Sequence, residues 1–186
     1  MTESPSEAAA VAQRFAEIVG SERWSGDHDT AKIHVAPDRW VEAHRAIQEH
    51  LPYFSWLSAI DWAAEVAVGD PPEEEPSERF EVLSCLGDVG AGEWVVLATD
   101  IPKDGASVPT ISDVYGGANW HEREAAEMFG IVFEGHPNLT KLYLPDAFEG
   151  HPLRKTFPLL SREVKPWPGT VDVEDMPSTE NPEADG

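Results

Sequence analysis

Beyond Gly130 the chain cannot hold a long helix, because prolines at 137, 145, 152 and 158, with more after them, each remove a backbone N–H and crowd the preceding turn. Before Gly130 the same chain carries helical and strand periodicities. That asymmetry predicts a folded α+β body over residues 1–130, an extended arm over 131–171 and an acidic, disordered tail over 172–186. The arm also carries a repeated word: Phe-Glu-Gly-His-Pro stands at 133–137 and again at 148–152. Glycine and proline add no core volume, so the repeat marks turns with a purpose beyond packing.

With 186 residues and 41% hydrophobic content, one hydrophobic core is expected. The net charge of -22 argues against a nucleic-acid partner and against a direct electrostatic hold on an anionic membrane. The acids concentrate in residues 70–78 and after Val171, which reads as solvated chain. Cys85 is the single cysteine, so the chain can form no internal disulfide and cannot supply the four thiolates that an iron–sulfur cluster normally needs. The longest clean apolar run, residues 94–98, is too short for a bilayer, and the first residues lack the basic and apolar regions of a signal peptide. These features predict a soluble, intracellular protein.

Ser4-Pro5 offers a helix start, with Val11, Phe15 and Ile18 at helical spacing and Gly20 as the stop. Residues 32–35 read as a short strand. Pro37 opens a second helix with Trp40, His44, Ile47 and Leu51 on one face, where His44 reads as a core histidine. From 53 to 68 the period becomes two, predicting a long strand with Phe54, Trp56, Ile60 and Trp62 on one side and Ser55, Asp61 and Glu65 on the other. Strands at 79–86 and 93–101 follow, joined by a glycine-rich loop in which two or three glycines take positive φ. A turn or short helix at 111–115 and a helix at 120–129 complete the body. The expected architecture is two-layered, with a mixed or antiparallel sheet, helices on one of its faces and the arm extended from it.

The helix at 120–129 holds most of the candidate chemistry. Asn119 and Glu122 form a capping-box pattern, Arg123 and Glu127 are i,i+4 neighbours, and Glu124 lies between Trp120 and Met128 on one stripe. A solvated, ion-paired face is the plain reading of that helix. His121, His136 and His151 recur every fifteen residues, but no pair has the i,i+4 spacing that sets two ligands on one helix face, and no metal site is assigned. Cys85, inside a strand, reads as a small core residue rather than a nucleophile, and no phosphate-cradling loop is present. Residues 150–159 set Arg154 and Lys155 among Leu153, Phe157 and Leu159 in an extended segment, the pattern of a peptide that docks along another surface.

Taken together, residues 121–131 (His-Glu-Arg-Glu-Ala-Ala-Glu-Met-Phe-Gly-Ile), the first Phe-Glu-Gly-His-Pro with Leu139 and Lys141-Leu142, and residues 150–159 resemble the signature of the C-type subunit of the proton-pumping NADH–quinone oxidoreductase, the 30 kDa subunit family of respiratory complex I. The resemblance implies a non-catalytic peripheral-arm subunit that binds no cofactor or metal, with FMN, iron–sulfur clusters and quinone on its partners. It implies docking against the D-type subunit, which helps form the quinone pocket, beside the B-type and I-type iron–sulfur subunits. It places the protein on the cytoplasmic side of the cell membrane, attached through the complex and not inserted. Carried over by motif, Glu122, Arg123 and Glu124 match the Glu-Arg-Glu block. His136, Pro137, His151, Pro152, Arg154 and Lys155 match the two Gly-His-Pro blocks and the basic pair, and together these residues form the expected partner interface. Thr156 stands where the family commonly has Asp, which removes a potential ion partner of Arg154 or Lys155. Ala126 and Glu127 replace a more usual aromatic residue and Asp. An equivalent subunit of a membrane-bound nickel–iron hydrogenase or formate-hydrogen-lyase-type complex would look similar. A zinc hydrolase built on the three histidines is the rival from a different class.

Overall fold

Ala12, Phe15, Ala16 and Val19 fall on one stripe of α1 (Glu7–Val19), and this stripe is buried. The Ser6 hydroxyl caps the helix by accepting the Ala9 N–H at 3.2 Å, and Gly20, at φ 65°, ends it. The cap therefore lies later than the expected Ser4-Pro5, which falls outside the residues described by this computed structural model, namely 6–63 and 77–158. Most of the acidic connection at 70–78, the end of the arm and the whole tail 172–186 also lie outside them.

Pro37 opens a 3-10 turn (Pro37–Arg39) that leads into α2 (Trp40–Ile47). Trp40, His44 and Ile47 form its fully buried face, and Leu51, after the helix, is buried as well. His44 is a satisfied core residue: its Nδ1–H donates to the Trp40 carbonyl at 2.7 Å, and its Nε2 accepts the Ser84 hydroxyl at 2.6 Å. Burial depresses its pKa to about 4, so it stays neutral in the fold.

Five strands form the main sheet: β1 (Trp24–Ser25), β2 (Ala31–His34), β3 (Tyr53–Trp62), β4 (Arg79–Asp88) and β5 (Glu93–Ile101), in spatial order β1-β2-β5-β4-β3. The β2–β5 pairing is parallel and the others antiparallel, so the sheet is mixed. Phe80, Val82, Ser84 and Leu86 of β4 alternate onto the face covered by the helices, opposite Leu57 and Ala59 of β3 and beside Val95, Leu97 and Thr99 of β5. Fold class and layer arrangement match the sequence expectation.

Which side of β3 turns inward does not match. Leu57, Ala59 and Asp61 are buried, whereas Ile60 is exposed and Trp56 and Trp62 are half-buried on the open face. A register irregularity between Phe54 and Trp56 separates Phe54, which packs on Tyr115, from the residues after it. Asp61 can face inward because Lys103 Nζ lies 2.7 Å from its Oδ1 and the Lys155 N–H donates to its Oδ2 at 2.9 Å. In the β4–β5 turn only Gly92 has positive φ, at 72°, while Asp88 Oδ1 accepts the N–H groups of Gly90 and Ala91. Cys85 faces the open side of the sheet, half-buried, and is not part of the core.

After β5 the chain forms β6 (Ser107–Pro109), a turn through Ile111–Tyr115, helix α3 (Ala118–Phe129) and β7 (Val132–Glu134), which pairs in parallel with β6. Helix α3 lies against β3, with Phe129 edge-on to Phe80 at 6.1 Å. Past its C-terminal end Ile131 and Phe133 are still in the core, so the body continues through β7.

Candidate functional site

The last turn of an α-helix leaves carbonyl groups without helical partners and carries partial negative charge. In α3 each of these carbonyls is satisfied. Gly130, left-handed at φ 72°, returns its N–H to Ala126 at 2.9 Å. The second repeat supplies the others: His151 Nδ1–H donates to the Glu127 carbonyl at 2.8 Å, the Leu153 N–H to Met128 at 3.1 Å, and Arg154 Nε–H to Phe129 at 2.5 Å. The Arg154 guanidinium lies 5.4 Å over the Phe80 ring and brings positive charge to the negative end of the helix. The block Gly-His-Pro-Leu-Arg is thus the cap of α3, delivered from about twenty residues further along the chain.

Gly130 is required here twice over. Its backbone conformation disfavours a side chain, and a Cβ would overlap both the His151 ring and the Arg154 guanidinium. Gly130→Ala is expected to cost about 2–4 kcal/mol, the sum of left-handed strain and overpacking, and to show as a lowered thermal midpoint.

Glu127 makes the clasp reciprocal. Its carboxylate is buried and accepts the N–H groups of Leu142, Tyr143 and Leu144 at 2.9, 3.1 and 2.6 Å. Burial alone would raise its pKa, but these donors together with Lys141 bring it below the usual carboxylate range. The expected Arg123–Glu127 ion pair does not form. Arg123 turns instead to the Thr140 carbonyl (2.8 Å), the Thr140 hydroxyl (2.8 Å) and the Lys141 carbonyl (3.2 Å), with its guanidinium 5.1 Å from the Trp120 ring centre.

Glu122 also departs from its expected capping role. Helix α3 starts after Gly117 without a side-chain cap, and Glu122 reaches the preceding turn, accepting the Ile111 N–H at 2.7 Å and the Thr110 hydroxyl. It is fully buried, and this desolvation raises its pKa to about 7. His136 Nε2 lies 3.8 Å away, but the Asn138 N–H donates to its Nδ1 at 3.0 Å and its Nε2–H donates to the Asn119 carbonyl at 3.1 Å. That pattern requires a neutral imidazole, so the pair is not an ion pair. Glu124 is half-buried beside exposed Trp120 and has no hydrogen-bond partner among the described residues.

The expected interface residues therefore divide. Glu122, Arg123, His136, His151 and Arg154 are engaged inside the chain, while Pro137 and Lys155 are exposed and Glu124 and Pro152 are half-buried. The three histidines have separate partners, His121 packing on Phe54 at 5.4 Å and the other two on different carbonyls. Sequence reasoning missed Glu127, Gly130 and Asp61 as anchors of the arm. A signal existed for Gly130 alone, since a glycine after the last periodic residue fits a helix C-terminus.

His34, Glu81 and Asp100 also converge, on the open sheet face. Lys32 lies 2.5 Å from Glu81, and Arg79 and Arg23 lie 2.9 and 3.3 Å from Asp100, so the carboxylates are already neutralised and the group is an ion-pair network.

The α+β fold of this body recurs in a chain of a solved respiratory membrane complex. A chain of the membrane-bound sulfane sulfur reductase, an archaeal respiratory membrane complex, superposes with TM-score 0.65 at 25% identity, covering 81% of this chain and 85% of that one. A trypsin-resistant fragment of Nqo5 shares the fold, with TM-score 0.54 at 24% identity, over 69% of this chain and 99% of the fragment. The family model of the respiratory-chain NADH dehydrogenase 30 kDa subunit matches residues 33–163, and the chain belongs to that family. The C-type subunit of NADH-quinone oxidoreductase from Roseiflexus castenholzii is 34% identical over 151 residues, 79% of each chain. The fused C/D protein of Nitrosospira multiformis is 34% identical over 150 residues, which are 75% of this chain but 24% of the fused protein.

Proposed function

We propose that this chain is a cofactor-free, non-catalytic subunit of a NADH–quinone oxidoreductase that holds the D-type, quinone-pocket subunit in place. Electrons pass from NADH through FMN and iron–sulfur clusters to quinone on partner chains, the B-type and I-type iron–sulfur subunits among them, and this transfer is coupled to proton translocation. The protein sits on the cytoplasmic face of the membrane through the complex, and none of the helices among the described residues is long and apolar enough to cross a bilayer. The observation that supports the reading is the clasp: the motif residues hold the arm against α3, and Trp120, 62% exposed, projects from the same helix. The fused C/D relatives, in which the two subunits share one polypeptide, support a D-type partner. A single cysteine supports the absence of a cluster on this chain.

Arg154 is a poor test of docking because it caps α3. Trp120→Ala is the better one: it should lower the co-purified quinone-pocket subunit at least about tenfold, as for an aromatic anchor, while the melting temperature of the isolated chain stays within about 2 °C of wild type. Unchanged retention of that partner would overturn the docking role. Flavin or iron–sulfur absorbance in the purified chain would overturn the cofactor-free assignment.

A further inference from the structure

Between α3 and the loop of the arm lies a groove of about 380 Å³ whose apolar wall includes Ile131, Val132, Leu139, Leu144 and Phe148. Val132 and Leu139 remain exposed, as do Trp120, Tyr143 and Leu153 on the same helix and arm. A concavity lined by apolar side chains with Arg123 among them, on a helix and arm that also expose Trp120 and Tyr143, has the composition of an interface.

Charge sharpens what could occupy it. Elsewhere in the body Arg14, Arg23, Lys32, Arg79 and Lys103 each lie against a carboxylate. At the groove, Arg123 donates to the Thr140 and Lys141 carbonyls and the Thr140 hydroxyl, and Lys141 to the carbonyls of Pro145, Asp146 and Phe148. Carbonyl dipoles fix a cation in place without cancelling its unit charge. Glu127, the carboxylate in the wall, is engaged by three backbone N–H groups and offsets part of the Lys141 charge, which leaves the Arg123 charge without a carboxylate against it among the described residues. In a chain of net charge -22, the groove therefore joins an apolar hollow to two positioned cations.

We propose that this groove receives a segment of the D-type partner that places an apolar side chain between Leu139 and Phe148 and an adjacent Asp or Glu over Lys141 and Arg123. This rests on the docking role proposed above. A second copy of the chain is the weaker occupant, because it would bring a surface of the same strong negative charge to the site.

The test uses the full chain in native membranes, with Leu139→benzoylphenylalanine as a photocrosslinker in the groove. The expected product joins this chain to the quinone-pocket subunit at an apolar residue within about two positions of an Asp or Glu, the reach of an extended segment. Leu139→Asp should reduce the retained partner at least about tenfold by repelling that carboxylate, without changing the melting temperature of the isolated chain. Cross-linking to a second copy, to residues 159–186 of the same chain, or nowhere, while the quinone-pocket subunit still co-purifies, would overturn the groove assignment and leave the docking role standing. Absence of that partner from the wild-type preparation would overturn both.

Discussion

Glu127→Ala should lower the melting temperature by about 6–12 °C, more than a surface substitution on a helix of this kind ordinarily does. The carboxylate gathers three consecutive backbone N–H groups, and its removal leaves these part-buried donors without their acceptor. An orphaned buried donor costs about 1–3 kcal/mol, and these sites are partly open to water, so a total of about 3 kcal/mol follows. In a chain of this size each kcal/mol moves the midpoint by about 2–4 °C. Glu127→Gln should cost about half as much, because one oxygen remains to accept while the amide nitrogen opposes the other donors. The carboxyl is held below its ordinary pKa, so its contribution is present above the unfolded value and is lost as pH falls through the folded one. Thermal unfolding of both variants at neutral pH checks the magnitude. Limited proteolysis should show the arm released at 139–145 before the body is cut, and an arm still protected in Glu127→Ala would show that Glu127 is not its anchor.

This anchor also explains which parts of the molecule were legible in the sequence. Helices α1 to α3 and strands β2 to β5 follow from residue spacing and turn residues, because local periodicity and core burial agree there, whereas the short strands β1, β6 and β7 carry too few residues to show a period. The inward side of β3 was hidden because Asp61 is stabilised by Lys103 and by the backbone of Lys155, neither of which is near in sequence. Glu122 and Glu127 carried legible helix-surface patterns, a capping box and an i,i+4 pair, yet both turn away from their local partners. A buried N–H left without an acceptor costs more than an exposed ion pair contributes, so the tertiary demand of Ile111 and of residues 142–144 prevails. The arm motif was visible as a motif, but its role as a helix cap was not. Its side chains bond to carbonyl oxygens, which every residue has, and so leave no complementary signature in the sequence.

Glu122→Gln is expected to leave stability at pH 8 at or above the wild-type level and to make the protein acid-sensitive between pH 7 and 4. Burial raises Glu122 from 4.5 to about 7. Between those values the folded protein holds a proton that the unfolded chain has released, so this group makes stability fall as pH rises, by about 3 kcal/mol across the window. His44 acts in the opposite sense. Its pKa drops from 6.5 to about 4, so the unfolded chain holds the extra proton and stability rises with pH by a similar amount, about 3 kcal/mol. The two slopes oppose each other over most of their range, so the wild-type midpoint should change less from pH 6.5 to 5 than that of the variant. Removing the titration at Glu122 exposes the His44 slope, and the variant should lose about 3 kcal/mol on acidification from pH 7 to 4. Glutamine keeps an acceptor for the Ile111 N–H and can still meet the Thr110 hydroxyl, so the fold tolerates the change. Urea unfolding at half-unit pH steps measures both curves, and a wild-type protein that already weakens steeply between pH 6.5 and 5 would show that Glu122 does not oppose His44.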